Sequence, residues 1–262
     1  MRDCPEMPLL RSLPLAELTL DDESSFRHVG LYRELKDAMS KTGARFLVPQ
    51  PGSALERYES ALLLNLAFWN PGDAIEVLVD EHLAADQLAH GAWHALAHRA
   101  LGEHARSSDG LLLAESIASA FDVYLVGRLV GHAPDSGFLE TQVPAMRDAA
   151  ESAGLDDEGF ERLIERMVAA PEASFESLRQ LLFDTATALV GAADLESAAA
   201  VLASAATHPM GPLLHHYELP SWVLYARAYG APLGPSAPVR ALDQELRAAP
   251  DSLAWLERAW LG

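Results

Sequence analysis

Apolar residues recur along the chain at helical intervals, and glycine or proline separates most of these stretches. The region 80–131 is distinctive because polar residues with ligand-type side chains interrupt its two apolar stripes. Its first half carries four such residues, each four positions after the last: Asp86, His90, His94 and His98. Its second half carries three, spaced i, i+4 and i+7: Glu115, Ser119 and Asp122. Since a helix turns about 100° per residue, each set lies on one face. A buried carboxylate is costly unless it is paired or binds a metal.

The same periodicity predicts the rest of the fold. Helices are expected at 31–41, 53–69, 137–153, 157–170, 174–191, 194–206, 211–229 and 239–260, the last broken at Pro250. Residues 1–28, dotted with proline, are predicted to form an N-terminal arm with little regular structure. We therefore predict a mainly α, single-domain multi-helix bundle over 1–262, with a very small β element near 46–48 and 75–79. The region 80–131 would be a helix pair, and 137–260 would be the C-terminal helices.

The amino-acid composition favours a helical fold and argues against nucleic-acid binding. The 262 residues can bury a large core, and half of them are hydrophobic. Alanine and leucine dominate, which favours helices. The formal net charge is −19, and Lys36 and Lys41 are the only lysines. So acidic a chain would repel a phosphate backbone, which argues against nucleic acid as a partner.

Several features predict a cytoplasmic protein. Cys4 is the only cysteine, so no internal disulfide can form. The first thirty residues lack the basic start and apolar centre of a signal peptide. The most apolar long stretch, 111–131, contains Glu115, Asp122 and Arg128, which argues against a membrane span.

The His-x-x-x-His spacing of His90 and His94 places two imidazoles one helical turn apart, where both can bind one metal ion. Glu115, on the next predicted helix, is a candidate third ligand. Asp86 or Asp122 could accept the outer N–H of a ligating imidazole, and Ser119 could hydrogen-bond Glu115.

At these residues the chain resembles the gluzincin class of zinc metallopeptidases, over about fifty residues only (80–130). In that class a glutamate on the following helix completes a His-Glu-x-x-His helix. The resemblance implies a hydrolase-like, metal-dependent activity, with zinc held by His90, His94 and Glu115. The acidic composition leaves small molecules or peptides open as substrates. The class also carries its general base directly after the first histidine, and here that position is Gly91. His98 and Glu81 are candidate catalytic replacements, and the cluster 215–218 is another source.

Other hypotheses remain open at this stage. Two histidines and one carboxylate also form the facial site of non-haem iron enzymes, so iron is the alternative metal. The polar residues could instead form a hydrogen-bonded seam between helices, in a non-catalytic interaction protein whose working surface is 137–260. The chain has no phosphate-binding glycine loop and no G-x-S-x-G elbow. Substrate and oligomeric state do not follow from the sequence.

Overall fold

The computed structural model describes residues 10–50 and 74–262, which form a mainly α bundle with two very small sheets. The helices are α1 Glu23–Phe26, α2 Gly30–Thr42, α3 Ala85–Leu101, α4 Ser108–Leu129, α5 Gly137–Ser152, α6 Asp157–Ala169, α7 Pro171–Gly191, α8 Leu195–Ala205, α9 Leu219–Tyr229, α10 Ala237–Ala248 and α11 Ser252–Leu256. The strands are β1 Leu10–Pro14, β2 Thr19–Asp21, β3 Arg45–Pro49, β4 Ala74–Val77 and β5 His82–Ala84. Short 3-10 turns occupy Leu15–Glu17, Gly102–Arg106 and Gly211–Tyr217, and a π turn, Glu257–Leu261, ends the chain's last helix.

Helix α4 is the centre of the bundle. Ser107 caps its N-terminus by accepting a hydrogen bond from the Gly110 amide (3.0 Å). Most of its residues are apolar or small, and α3, α6, α7, α9 and α10 all pack against it. At Gly127 a Cβ atom would lie 2.3 Å from the carbonyl oxygen of Met167, so glycine allows α4 and α6 to approach closely.

The length and composition of α4 would also suit a membrane span, and among the described residues it alone passes that test. In the structure, 89% of its apolar window is buried inside the molecule. A core helix and a membrane-spanning helix can have the same apolar composition. The burial of α4 therefore identifies it as a core helix in this structure.

The small sheets partly match the expectation. Strand β3 lies at 45–49 as predicted, and 74–77 is a strand that pairs with it in parallel. The prediction of an N-terminal arm with little regular structure is wrong for residues 10–26. There β1 pairs with β3 antiparallel, and β2 pairs with β5 in parallel. Both pairings join segments far apart in the sequence, which local patterns do not encode.

The predicted helix pair is present but starts later than expected. Residues 82–84 form β5, so α3 begins at Ala85 and Asp86 lies in its first turn. The predicted helix 211–229 is divided at Glu218, whose φ of 47° is left-handed, into a 3-10 turn and α9. The predicted helix 53–69 lies outside the described residues.

The C-terminal half contains a buried ion-pair network that joins α7 to α10. The Arg179 side chain is fully buried and donates to Glu176 (2.6 Å) and to Asp243 (2.8 Å). Arg247 donates to the other oxygen of Asp243 (2.8 Å) and to the exposed Asp184 (2.7 Å). Because the ions compensate one another, each can be buried only with its partners in place.

We therefore expect Asp243→Ala to lower the free energy of unfolding by about 3 kcal/mol, because it leaves the buried Arg179 under-compensated. Asp184→Asn, which removes an exposed partner of Arg247, should cost less than about 1 kcal/mol. Urea unfolding of the two variants beside the parent chain measures both values. Equal, small losses in the two variants would show that the network contributes little.

Candidate metal centre

The two histidines of the predicted site lie on the inner side of α3, one turn apart. Their ring centroids are 4.9 Å apart. Glu115 lies on α4, which packs against α3 after the short connection 102–107. Helical spacing thus orients the two imidazoles together, and the packing of the two helices brings the carboxylate to them.

The three side chains meet at one point. His90 Nε2 and His94 Nε2 are 3.1 Å apart, and His94 Nε2 lies 3.1 Å from Glu115 Oε2. His90 Nε2 lies 3.6 Å from Glu115 Oε1. One ligand atom from each residue falls within 4.8 Å of the others. Ligands bound to zinc at about 2.0–2.1 Å in a tetrahedron lie about 3.3 Å apart, so the spacing suits a single ion.

Imidazole nitrogens and a carboxylate oxygen, the donor atoms of this site, are ligands that zinc binds in proteins. Glu115 Oε1 accepts a hydrogen bond from Ser119 Oγ (3.2 Å), the contact that their spacing predicts. Oε2 is buried and accepts no well-aligned hydrogen bond from the described residues. A buried carboxylate oxygen that lies 3.1 Å from one imidazole and near a second can bind a cation together with them, so the residues present fit a metal ion.

Burial differs across the three residues. The Glu115 side chain is 10% exposed, whereas those of His90 and His94 are 36% and 27% exposed. The carboxylate is thus enclosed, and the imidazoles are reachable from one side. A metal held by three protein ligands with one open side is the arrangement found in catalytic rather than structural zinc sites.

The charges of the site favour the ligand forms of its side chains. Burial lowers the pKa of His90 to about 4, although the Glu115 charge opposes this change. Burial by itself would raise the pKa of Glu115, but His94, His90 and Ser119 outweigh it and the pKa falls. A neutral imidazole and an ionised carboxylate are the forms that bind metals.

The two predicted catalytic residues lie outside this group of ligand atoms. His98 is on α3, one turn beyond His94, and is exposed. Glu81 is exposed, precedes β5 and forms an ion pair with Arg11. Gly91 is buried.

Asp86 and Asp122 extend the site along the seam between α3 and α4. No hydrogen bond joins His90 to either aspartate in the described part of the chain, so the orienting contact predicted for them is not formed with this ring. Burial raises the pKa of Asp122 well above its usual value, and the charges of Asp86 and Glu115 raise it further. Burial likewise raises the pKa of Asp86.

Two tyrosines have pKa values that are raised in part by carboxylates of α4, and only Tyr217 was flagged from the sequence. Burial, and then the charge of Asp122, raises the pKa of Tyr217 well above its usual value. Burial raises the pKa of Tyr225 on α9, with further contributions from Tyr229 and Glu115. Tyr217 belongs to the cluster 215–218 that was flagged, but no local signal marks it or Tyr225 as close to residues a hundred positions earlier.

No family model matches the chain, and the searches of curated proteins and of solved structures found no significant match. The resemblance to gluzincins therefore depends on the His90, His94 and Glu115 group alone, which the structure does bring together.

The raised pKa of Asp122 predicts a pH-dependent effect on stability in the metal-free protein. Because the folded chain holds this proton more tightly than the unfolded chain, its stabilising contribution is lost as the pH rises from the unfolded pKa towards the folded one. We expect Asp122→Asn to be more stable than the parent chain at pH 8. The difference should shrink towards pH 5.5, by at most about 1.4 kcal/mol per pH unit.

Urea unfolding in chelator at several pH values tests this prediction. Asp135→Asn removes an exposed carboxylate and serves as the matched control. A stability difference for Asp122→Asn that stays constant with pH would contradict the prediction.

Proposed function

We propose that the protein is a zinc-dependent enzyme of hydrolase type, with the metal held by His90, His94 and Glu115. The observation that carries this proposal is the meeting of two imidazole nitrogens and a buried carboxylate at separations of 3.1 to 3.6 Å. The open side at the imidazoles leaves room for a water molecule or a substrate carbonyl. A bound zinc ion would supply Lewis acidity to either of them.

The substrate that we propose is a small molecule or a peptide, met in the cytoplasm. The acidic surface argues against nucleic acid. Hydrolysis would also need an acceptor for the proton of the attacking water molecule, and glycine at position 91 supplies none. His98, one turn beyond His94, and Glu81 are the two residues that we propose for this role.

Metal analysis is the first test. The purified chain, repleted with zinc and then dialysed, should retain one equivalent of zinc. His94→Ala and Glu115→Ala should each weaken zinc binding by at least about a hundredfold, because each removes a direct ligand. His82→Ala, at an exposed histidine paired with Asp21, is the control and should retain the metal.

Circular dichroism of the same variants separates loss of the metal from loss of the fold. Bound zinc should also raise the stability of the parent chain by about 2.7 kcal/mol at a hundredfold excess over Kd, and chelator should reverse this gain. Failure to hold either zinc or iron after repletion would overturn the proposal. Retention of iron instead, with visible absorbance or oxygen uptake, would favour an oxidase or oxygenase that uses the same ligands.

Activity is tested with zinc-loaded protein on a panel of peptides, esters and amides. We expect His98→Ala to lower kcat by about a hundredfold or more while zinc stays bound, since general bases contribute rate factors of that size. Glu81→Gln tests the second candidate, and Glu103→Gln, at an exposed carboxylate within the connecting turn Gly102–Arg106, is its control. Hydrolysis at parental rates in both variants would exclude both residues as the base.

A second candidate function is suggested by the surface of the C-terminal helices. Leu195 and Leu202 on α8 are 85% and 42% exposed, and Leu224 on α9 is 70% exposed. Leu195 and Leu202 are seven residues apart and therefore share one face of α8, and a contiguous exposed apolar patch is typical of a surface that contacts another protein. A chain that binds no metal and keeps its full stability in chelator would favour this interaction role, with His90, His94 and Glu115 as a polar seam.

A further inference from the structure

The connection between α9 and α10, residues 230–236, lies against the N-terminal end of α4, and we call it the strap. The amide of Ala231 donates a hydrogen bond to the carbonyl of Arg106 (2.8 Å), in the turn that joins α3 to α4. The amide of Ser108, the first residue of α4, donates to the carbonyl of Pro232 (3.3 Å). The strap therefore bonds to the junction between the two helices that carry the candidate metal ligands.

A buried carboxylate joins the far end of the strap to α4. Asp109 is 2% exposed and accepts hydrogen bonds from the amide of Ser236 (3.0 Å) and from the guanidinium group of Arg240 (2.6 Å). Between these contacts and the first ones, the hydroxyl of Ser108 accepts a hydrogen bond from the amide of Gly234 (3.0 Å). The polar groups of the first two residues of α4 are thus satisfied by the strap and by α10.

The strap contacts α4 less than two turns before Glu115. Asp109 precedes Glu115 by six residues, which is about 9 Å along the helix axis. Buried apolar residues cover most of α4, and such packing defines the rotation of a helix less sharply than directional hydrogen bonds do. A rotation of about 20° would move a side-chain end about 5 Å from the axis by roughly 2 Å, whereas metal–ligand distances tolerate changes of only about 0.2 Å.

We propose that the strap fixes the position of α4 against α3, and that its docking is coupled to metal binding by His90, His94 and Glu115. Asp109 is then a positioning residue, because it acts on the metal through Glu115 and does not touch it. This inference rests on the proposed zinc site and adds a means of regulating it. A change that releases the strap weakens zinc binding, and bound zinc holds the strap in place to the same extent.

Zinc affinity tests the coupling, measured by competition with a chromophoric chelator on variants that circular dichroism shows to be folded. Asp109→Asn keeps the size of the side chain but removes its charge, and we expect it to weaken zinc binding about tenfold, within the usual range of coupling between sites. Ser108→Ala, which removes only the hydroxyl that is bonded to Gly234, should weaken zinc binding less.

The matched control is Asp156→Ala, which removes the N-terminal cap of α6. Helix α6 approaches α4 closely at Gly127, near the end of α4 that lies away from the strap. The control should therefore destabilise the fold but keep the zinc affinity within about twofold of the parent value, because distant sites act independently.

Two further measurements separate positioning from a general loss of stability. The visible absorption of the cobalt-loaded chain reports the geometry of the ligands, and Asp109→Asn should change its bands whereas Asp156→Ala should not. Hydrogen exchange at the amides of Ala231 and Ser236 should slow about tenfold when zinc binds, because the coupling is reciprocal.

Zinc affinity and cobalt bands that Asp109→Asn leaves unchanged would overturn this inference and leave the zinc site standing. Equal losses of affinity in Asp109→Asn and Asp156→Ala would also overturn it, because they would reflect general destabilisation. In a chain that binds zinc, exchange at Ala231 and Ser236 that zinc does not slow would refute the coupling alone. A parent chain that retains no zinc would refute the proposed zinc enzyme and the coupling together.

Discussion

The enclosure of α4 is the constraint on which the rest of the structure depends. A helix surrounded by α3, α6, α7, α9 and α10 buries nearly all of its residues, and Arg128 near its C-terminus is the exposed exception. Each buried polar group on it must therefore be satisfied by a neighbour. Ser116 donates back to the carbonyl of Leu112 (2.7 Å), and Asp109 is paired with Arg240. Glu115 meets two histidines, which makes the candidate metal centre a solution to the same burial problem.

The arginine pairs and the histidine pair differ in how far they compensate the charge of the carboxylate. An arginine cancels a carboxylate fully and closes the site, as at Asp109 and Asp243. Two histidines instead meet Glu115 without donating to its Oε2 in good geometry, and one of them has a pKa lowered to about 4. His90 in its neutral form does not compensate the Glu115 anion. Histidine in place of arginine on α3 therefore leaves the carboxylate able to bind a metal ion, which would balance its charge.

The parts that depend on helical spacing could be predicted from the sequence, and the parts that depend on distant contacts could not. His90 and His94 share a face because they are four residues apart, and Ser119 reaches Glu115 for the same reason. Strand β1 and β2 were missed because short strands are stabilised by partners thirty to sixty residues away, at β3 and β5. Tyr225 was missed for an equivalent reason, and Tyr217 was flagged only as part of the cluster 215–218, since only the packing of the C-terminal half brings them towards α4.

Gly91 limits what the centre can do alone. In a metal-dependent hydrolase the acceptor of the water's proton must stand within hydrogen-bonding reach of the metal-bound oxygen. No side chain can do so from position 91, and the structure keeps this position buried. The acidic groups that do approach the site come from Asp86 and Asp122, whose pKa values are raised. Burial raises both pKa values because it disfavours the charged form of a carboxyl group, and a positive charge nearby would lower them again. The proton affinity of these two aspartates therefore depends on the charge beside them.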